Sequence, residues 1–283
     1  MFKQGAFVNI LTGQSTQWVQ QFRAIEKFPS LDHIELWVEH IPRGHELKII
    51  RDVFRGVHLI VHGPFIHTSL VSDLPDVVRI TERRFDETIE FASAISAKIV
   101  TFHAGSYPLF LSKDEVLETL ASRFERFSEL QNPVATLENM PIKSDGTVRE
   151  PIGSLSDCEM ILKLLPKLKL TLDIGHCLQN GDDFVSFIRL HHAKIENIHL
   201  HDGLAQGKAH LGLGKGSLDL DSFLKVLMAV SFSKHVGIET IRPEDTRSSW
   251  ELLCRAEVSR GLRNIGCMPG NVELLPKSSS KGL

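Results

Sequence analysis

The stretch KLTLDIGH, residues 169–176, is the part of this sequence from which the fold can be read outward. Its first four residues alternate polar and apolar and predict a short strand, Lys169–Leu172. The strand runs straight into Asp173, and His176 follows three residues later. An acid and an imidazole placed where a strand gives way to a turn are groups that a partner, water or a cation must satisfy. The same ending recurs along the chain. His58–Val61 runs into His62, Lys98–Phe102 into His103, Val134–Leu137 into Glu138, Ile195–Leu200 carries His199, and Val236–Glu239 ends on Glu239. Ala6–Ile10 and His33–Val38 bring the predicted strands to eight.

Between them lie segments with helical spacing: Ser15–Phe28, Asp76–Ser96, Lys113–Leu130, Ser156–Leu165, Asp182–Leu190, Asp221–Val230 and Thr246–Asn264, with Pro42–Phe54 the weakest pattern. Asp182, Asp221 and Thr246 stand where a side chain can accept a bond from the free amides of a first turn. Strands alternating with helices throughout 283 residues predict an α/β fold, a single-domain (β/α)8 TIM barrel over residues 1–267, in preference to an open doubly wound sheet. The tail at residues 268–283, ending in KSSSKGL, is expected to be disordered.

Composition narrows the function classes. The formal net charge of -3 with both signs interspersed gives no broad basic field for nucleic acid. Cys158, Cys177, Cys254 and Cys267 are far apart with no CxxC pair, which argues against a disulfide framework or a thiolate zinc site. The first residues, MFKQGAFVNILTG, do not read as a signal peptide, and no run approaches the ~20 apolar residues of a membrane span. A soluble, cytoplasmic protein is expected.

In a parallel barrel all strand ends open on one face, so ligand-type residues scattered over the chain converge on one mouth. Imidazoles and carboxylates suit Zn²⁺, Mn²⁺ or Fe²⁺, and a carboxylate can bridge two ions where a histidine cannot. Any one of these residues alone would more often be a strand-end group bonded to backbone. Six consecutive strands with such endings, from His62 to Glu239, would carry a large desolvation cost without a cation. His210 follows in the loop AHLGLGKG. His191, His192, His33, His40, His45, His58 and His235 read as solvated or capping side chains. His67 and His201 sit within reach of the mouth, in ligation or in bonding around it. GLGKG at 212–216 lacks the spacing of a phosphate-binding P-loop and reads as a flexible active-site loop.

At these residues the sequence resembles the xylose isomerase-like barrels, and among them the endonuclease IV-like metal enzymes (AP endonuclease family 2). The motifs that carry the resemblance are His62-Gly63-Pro64-Phe65, Phe102-His103-Ala104-Gly105-Ser106, Leu137-Glu138-Asn139, Asp173 to His176, His199-Leu200-His201-Asp202 and Glu239-Thr240. The resemblance implies a first metal site of His62, His103 and Glu138. Glu138 then bridges to a second site of Asp173, His199 and Glu239. A third site in those endonucleases uses the counterparts of His176 and of an Asp-x-His, which here reads Lys208-Ala209-His210. A lysine cannot ligate, so His176 and His210 are metal ligands or substrate contacts. The endonucleases also insert an Arg-containing segment into DNA, where this chain has Glu35-Leu36-Trp37-Val38-Glu39-His40. Two acids there would repel phosphates, which disfavours nucleic acid as a partner.

The expected protein is therefore a hydrolase of a phosphate ester or phosphodiester in a small sugar-containing substrate, some relatives acting on cobamides. It would use two Zn or Mn ions. Glu138, Glu239, His176 and Lys208 are the expected catalytic residues, with Trp37, Phe65, His176, His201, Lys208 and His210 at the substrate and Lys215 as a further cation on phosphate. The alternative is a metal-dependent isomerase or epimerase of a sugar or sugar phosphate, with Glu138 and Glu239 moving a proton. An abasic-site endonuclease and a metal-dependent binding protein are the less favoured readings.

Overall fold

A computed structural model of the chain describes residues 1–9, 15–142, 147–205 and 207–261. Eight parallel strands close into a barrel in chain order: β1 (Lys3–Asn9), β2 (His33–Trp37), β3 (His58–His62), β4 (Ile99–Phe102), β5 (Val134–Glu138), β6 (Lys169–Asp173), β7 (Ile195–Leu200) and β8 (His235–Ile238). Closure is made by β8 against β1, with His235 level with Lys3 and Ile238 level with Ala6. The helices are α1 (Ser15–Ile25), α2 (His45–Val53), α3 (Pro75–Ala94), α4 (Lys113–Ser128), α5 (Leu155–Leu164), α6 (Ile174–Asn180), α7 (Phe184–His191), α8 (Leu220–Ala229) and α9 (Pro243–Ser259).

The period of two along each strand decides what reaches the mouth. Leu59, Val61, Val100, Phe102, Leu137, Leu170 and Leu172 are buried on one parity, the apolar face toward the helices. The other parity lines the barrel. Thr101 and Thr136 hydrogen-bond to Thr171 through their hydroxyls at 2.9 and 2.7 Å, one buried layer across three strands. Two residues further along the same strands stand His103, Glu138 and Asp173, so the Thr layer is the floor beneath the candidate ligands. Register aligns them, with Trp37 level with His62 and Asp173 level with His199.

The expected strands and helices are present with shifted ends. Glu239 lies one residue past β8, and β1 begins at Lys3. Ile10, Cys267, the expected end of the last helix at Asn264 and the tail at 268–283 lie outside the described residues. Three caps differ from expectation. Asp183 rather than Asp182 caps α7 by accepting from Ser186 N, and Asp182 instead accepts from Leu155 N. Asp219 rather than Asp221 caps α8, while Asp221 pairs with Lys225. α9 starts at Pro243 without a side-chain cap, because proline at the first turn has φ preset for a helix and gives up an amide that had no partner. Helix α6 and an antiparallel hairpin pairing Tyr107–Pro108 with Val148–Arg149 are too short for periodicity to reveal. Cys158, Cys177 and Cys254 are buried. No helix among the described residues is long and apolar enough to cross a membrane.

Candidate metal centre

Glu138 is the hub of the mouth. Its Oε2 lies 3.3 Å from His62 Nε2 and 3.2 Å from His103 Nε2, and its Oε1 lies 3.3 Å from His199 Nδ1 and 3.6 Å from His176 Nδ1. His199 Nδ1 is also 3.1 Å from Glu239 Oε2 and 3.9 Å from Asp173 Oδ2. Three groups result whose donor atoms lie within 4.8 Å of one another: His62, His103 and Glu138; Glu138, Asp173, His199 and Glu239; and His176, His201 and His210. Glu138 alone belongs to two of them.

These donors fit a divalent cation. His199 Nδ1 and Glu239 Oε2 face each other at 3.1 Å, both buried and with no hydrogen bond of good geometry among the described residues. A cation there would stand in for the proton that the surrounding carboxylates draw to His199. Each ring is tethered through one nitrogen in a way that leaves the other free. His62 Nδ1 bonds Gly63 O at 2.9 Å, whereas His176 is tethered to Asn139 O at 2.8 Å through the Nδ1 that lies nearer Glu138, which leaves its Nε2 free. His199 Nε2 donates to Glu35 Oε1 at 3.2 Å, and Glu35 is held in turn by Asn197 Nδ2 at 2.8 Å. Glu35 is therefore a positioning carboxylate that fixes the His199 tautomer with Nδ1 toward the ligands. Sequence reasoning missed it. The available signal was parity, since Glu35 shares the inward face of β2 with Trp37.

Electrostatics follow the same arrangement. Burial drives the His62 and His199 imidazoles toward neutral, yet the carboxylates around them win: Glu138 lifts His62, and Glu138, Glu35 and Glu239 hold His199 well above its ordinary value. Burial works on Glu138 and Glu239 in the opposite sense and loses to His199 with its neighbours, so both carboxyls are held low. His201 rises to about 9 against its burial, through Asp173. Burial lowers His210, which has only Glu239 and Asp173 to oppose it.

Several expectations require correction. His201 is fully buried, with Nδ1 3.1 Å from Asp202 O and Nε2 donating to Asp173 Oδ2 at 3.0 Å, so it holds a ligand and does not face substrate. Lys215 is ion-paired with Asp245. The loop around it is tied down by Leu213 N on Ser249 and Gly214 N on Asp202, which is the opposite of a flexible loop. Asp202 also accepts from Gly203 N and Leu218 N, each at 2.9 Å, and its backbone bridges to Leu211. Glu35 is buried in the barrel, and Glu39 pairs with Arg84 at 3.0 Å and accepts from the amides of Phe65 and Ile66. Neither acid is free to repel a nucleic acid, so that ground for excluding DNA does not hold. His33 is fully buried, not solvated.

Trp37 and Phe65 stack with ring centroids 5.2 Å apart, and Phe65 is 5.0 Å from the His103 ring. The His210 ring stacks on His201 at 4.2 Å, and its Nδ1 is 3.9 Å from Glu239 Oε2. Lys208 is exposed, and its ammonium has no ion pair among the described residues. His67 is exposed on a loop with φ 59°. Phe7, not foreseen, sets its ring edge-on to His199 at 4.9 Å.

A family profile described as "Xylose isomerase-like TIM barrel" matches residues 22–256. Two uncharacterized proteins of Methanocaldococcus jannaschii are similar in sequence. MJ1614 is 27% identical over 65% of this chain and 72% of its own length, and MJ1188 is 25% identical over 77% and 78%. Among solved structures, a D-tagatose 3-epimerase-like protein superposes with TM-score 0.75 at 21% identity, covering 92% of this chain and 99% of that one. 3-Keto-D-glucoside 4-epimerase from E. coli gives 0.71 at 14%, covering 91% and 100%. An AP endonuclease, family 2, from Brucella melitensis gives 0.69 at 14%, covering 90% and 99%. At such identities the likeness is one of fold. Sugar epimerases predominate among these neighbours, which fits the isomerase or epimerase alternative better than the hydrolase placed first from sequence.

Proposed function

Because the chain belongs to the xylose isomerase-like TIM barrel family, we propose that it is a divalent-metal enzyme of a small sugar-containing substrate, and that its reaction is hydrolysis of a phosphate ester or phosphodiester. The observation that carries the choice of reaction is the division of Glu138. One of its oxygens belongs with His62 and His103, and the other with His199. A carboxylate so divided is suited to bridge two cations, and it has no oxygen left over to take a proton from carbon.

When bound, a pair of divalent ions supplies Lewis acidity to the phosphoryl group and acidifies water. His62, His103 and Glu138 would hold one, and Glu138, Asp173, His199 and Glu239 the other. The protein's own residues do the rest. Glu35 and His201 lock His199 and Asp173 in place, so little reorganisation is needed as charge develops. Trp37 and Phe65 offer a stacked apolar wall to a sugar face at the His103 side of the mouth. His176 and His210 border the opposite side with ring centroids 5.7 Å apart, where they can donate to substrate oxygens. Lys208, exposed two residues before His210, adds a positive charge for an incoming anion.

The second reading, isomerisation or epimerisation of a sugar, draws on the set Glu138, Asp173, His199 and Glu239, which offers four ligands to a single ion without help from His62 or His103. Glu138 and Glu239 would then move the proton, and the epimerase neighbours weigh on that side. Metal analysis of the purified protein beside assays of bis(4-nitrophenyl) phosphate and of ketohexoses separates the two. Two ions per chain with phosphodiester turnover are expected. One ion with ketose epimerisation and no phosphodiester turnover would overturn the hydrolase.

A further inference from the structure

A cavity of about 580 Å³ opens from the metal centre between α1 and the start of α9, and beyond Trp37, His210 and Glu239 the expected substrate chemistry does not account for its lining. Its inner end is formed by Glu239 and His210, so whatever fills it is continuous with the reacting centre. Its walls are mostly apolar, with Phe7 and Trp37 from the barrel, Ile25 and Phe28 from the α1 side and Ile241 from the β8–α9 loop. Polar groups, Gln21, Thr240, Glu244 and Thr246 among them, are interspersed. Ile241 is 79% exposed, which leaves its side chain open to an occupant of the slot. Arg247 stands among the lining residues, bonded only weakly to Glu251 at 3.4 Å.

A bare sugar or phosphate is a poor match to the larger, apolar part of this lining, where hydroxyls or anionic oxygens would lose water without regaining hydrogen bonds. A flat ring system suits it, since pockets of roughly 300–1,000 Å³ with mostly apolar lining enclose ligands well above monosaccharide size. Trp37 adds an aromatic surface against which a ring can pack.

We propose that this slot is the subsite for an aryl or heteroaryl group of the substrate, joined to the sugar or phosphate on which the metals act. The assignment rests on the mouth being the reacting centre, and it deepens the hydrolase reading by naming what the small substrate carries besides its phosphate. It makes the protein selective for aromatic conjugates over free sugar phosphates, because the ring gains its binding in a place that a bare phosphate does not reach.

The test is calorimetric binding to the manganese-loaded protein of methylphosphonate, phenylphosphonate and 2-naphthylphosphonate, which share the anion and differ in the ring. A parallel set compares methyl with 2-naphthyl glucoside. Affinity should rise at least ten-fold from the methyl to the naphthyl member in one set or both. Ala24 is exposed on α1 and lines the slot, so Ala24→Trp fills the space from a position that is not in the core. It should remove the ring preference with metal content and unfolding midpoint unchanged. Equal affinity of methyl and naphthyl members in both sets, or a ring preference that survives Ala24→Trp, overturns the assignment. Turnover of bis(4-nitrophenyl) phosphate is read separately. Its absence beside an intact ring preference would fell the hydrolase and leave the slot standing, and its presence without a ring preference would do the reverse.

Discussion

Histidines are packed into both ends of this barrel, and the two ends treat them in opposite ways. At the mouth, His62 and His199 stand against carboxylates and are raised in pKa in spite of their burial. At the floor, His33 faces His235 edge-on with ring centroids 5.0 Å apart, and both ring nitrogens of His33 lack a hydrogen-bond partner among the described residues. Burial, together with the nearby imidazoles and Lys3, holds His33 well below its ordinary value. The residue type is the same. The difference is which end of a strand it occupies and whether an acid was placed beside it, so a cation-binding site is recognised by the carboxylate among the rings more than by the rings themselves.

The comparison breaks most visibly at Glu138. Glu138→Gln should strip bound metal and reduce turnover by more than the ~10–100-fold typical of losing a partner that merely orients a ligand. Unchanged metal content and turnover would show that the mouth is no different from the floor. Glu35→Gln comes next. It removes charge behind His199 while keeping an acceptor, and metal affinity by competition with a chelator should fall about 10-fold, with Glu35→Ala nearer 100-fold and circular dichroism unaltered. If both variants bind metal as the parent does, Glu35 is structural only.

Smaller effects sharpen the contrast. Lys208→Asp places a carboxylate two residues before His210 and should raise the metal content by about one ion while weakening anionic ligands. No additional ion would mean that His201, already spent on Asp173, is what closes the third site. His33→Leu should leave metal content and turnover as they are. Its stability effect has a definite sign with pH, because the folded protein keeps this imidazole neutral and the unfolded chain protonates it below about 6.5. Stability contributed by a neutral His33 is present above that value and lost as pH falls, so the variant should unfold in urea with a shallower decline on acidification. A variant that declines as steeply as the parent would locate the acid sensitivity elsewhere.

The barrel was legible because its strands carry the period of two that a lined barrel imposes, and because six of them end in groups that cannot be left bare. KLTLD announces both facts in five residues. The hub at Glu138 and the grouping around it came from the resemblance, and the geometry brings those residues together. What could not be read is which partner each polar group would take. Glu35 looked like a repulsive charge on a loop, and Lys215 like a free cation, because pairing with Asn197, His199 or Asp245 spans distances in sequence that no local pattern encodes. The aromatic slot was invisible for the same reason, since Phe7, Phe28 and Ile241 meet only when the barrel closes.

Asp202 has a consequence for how such an enzyme can be altered. Its carboxylate gathers the amides of Gly203, Gly214 and Leu218, and its backbone clips Leu211, so both roots of the loop that bears Lys208 and His210 are moored to one side chain. The span between those roots is a cassette. A change of charge at Lys208 therefore falls between fixed ends, with Asp202, Gly203, Leu211, Gly214 and Leu218 holding the loop's roots in register and the ligands on the neighbouring strands left in their original places.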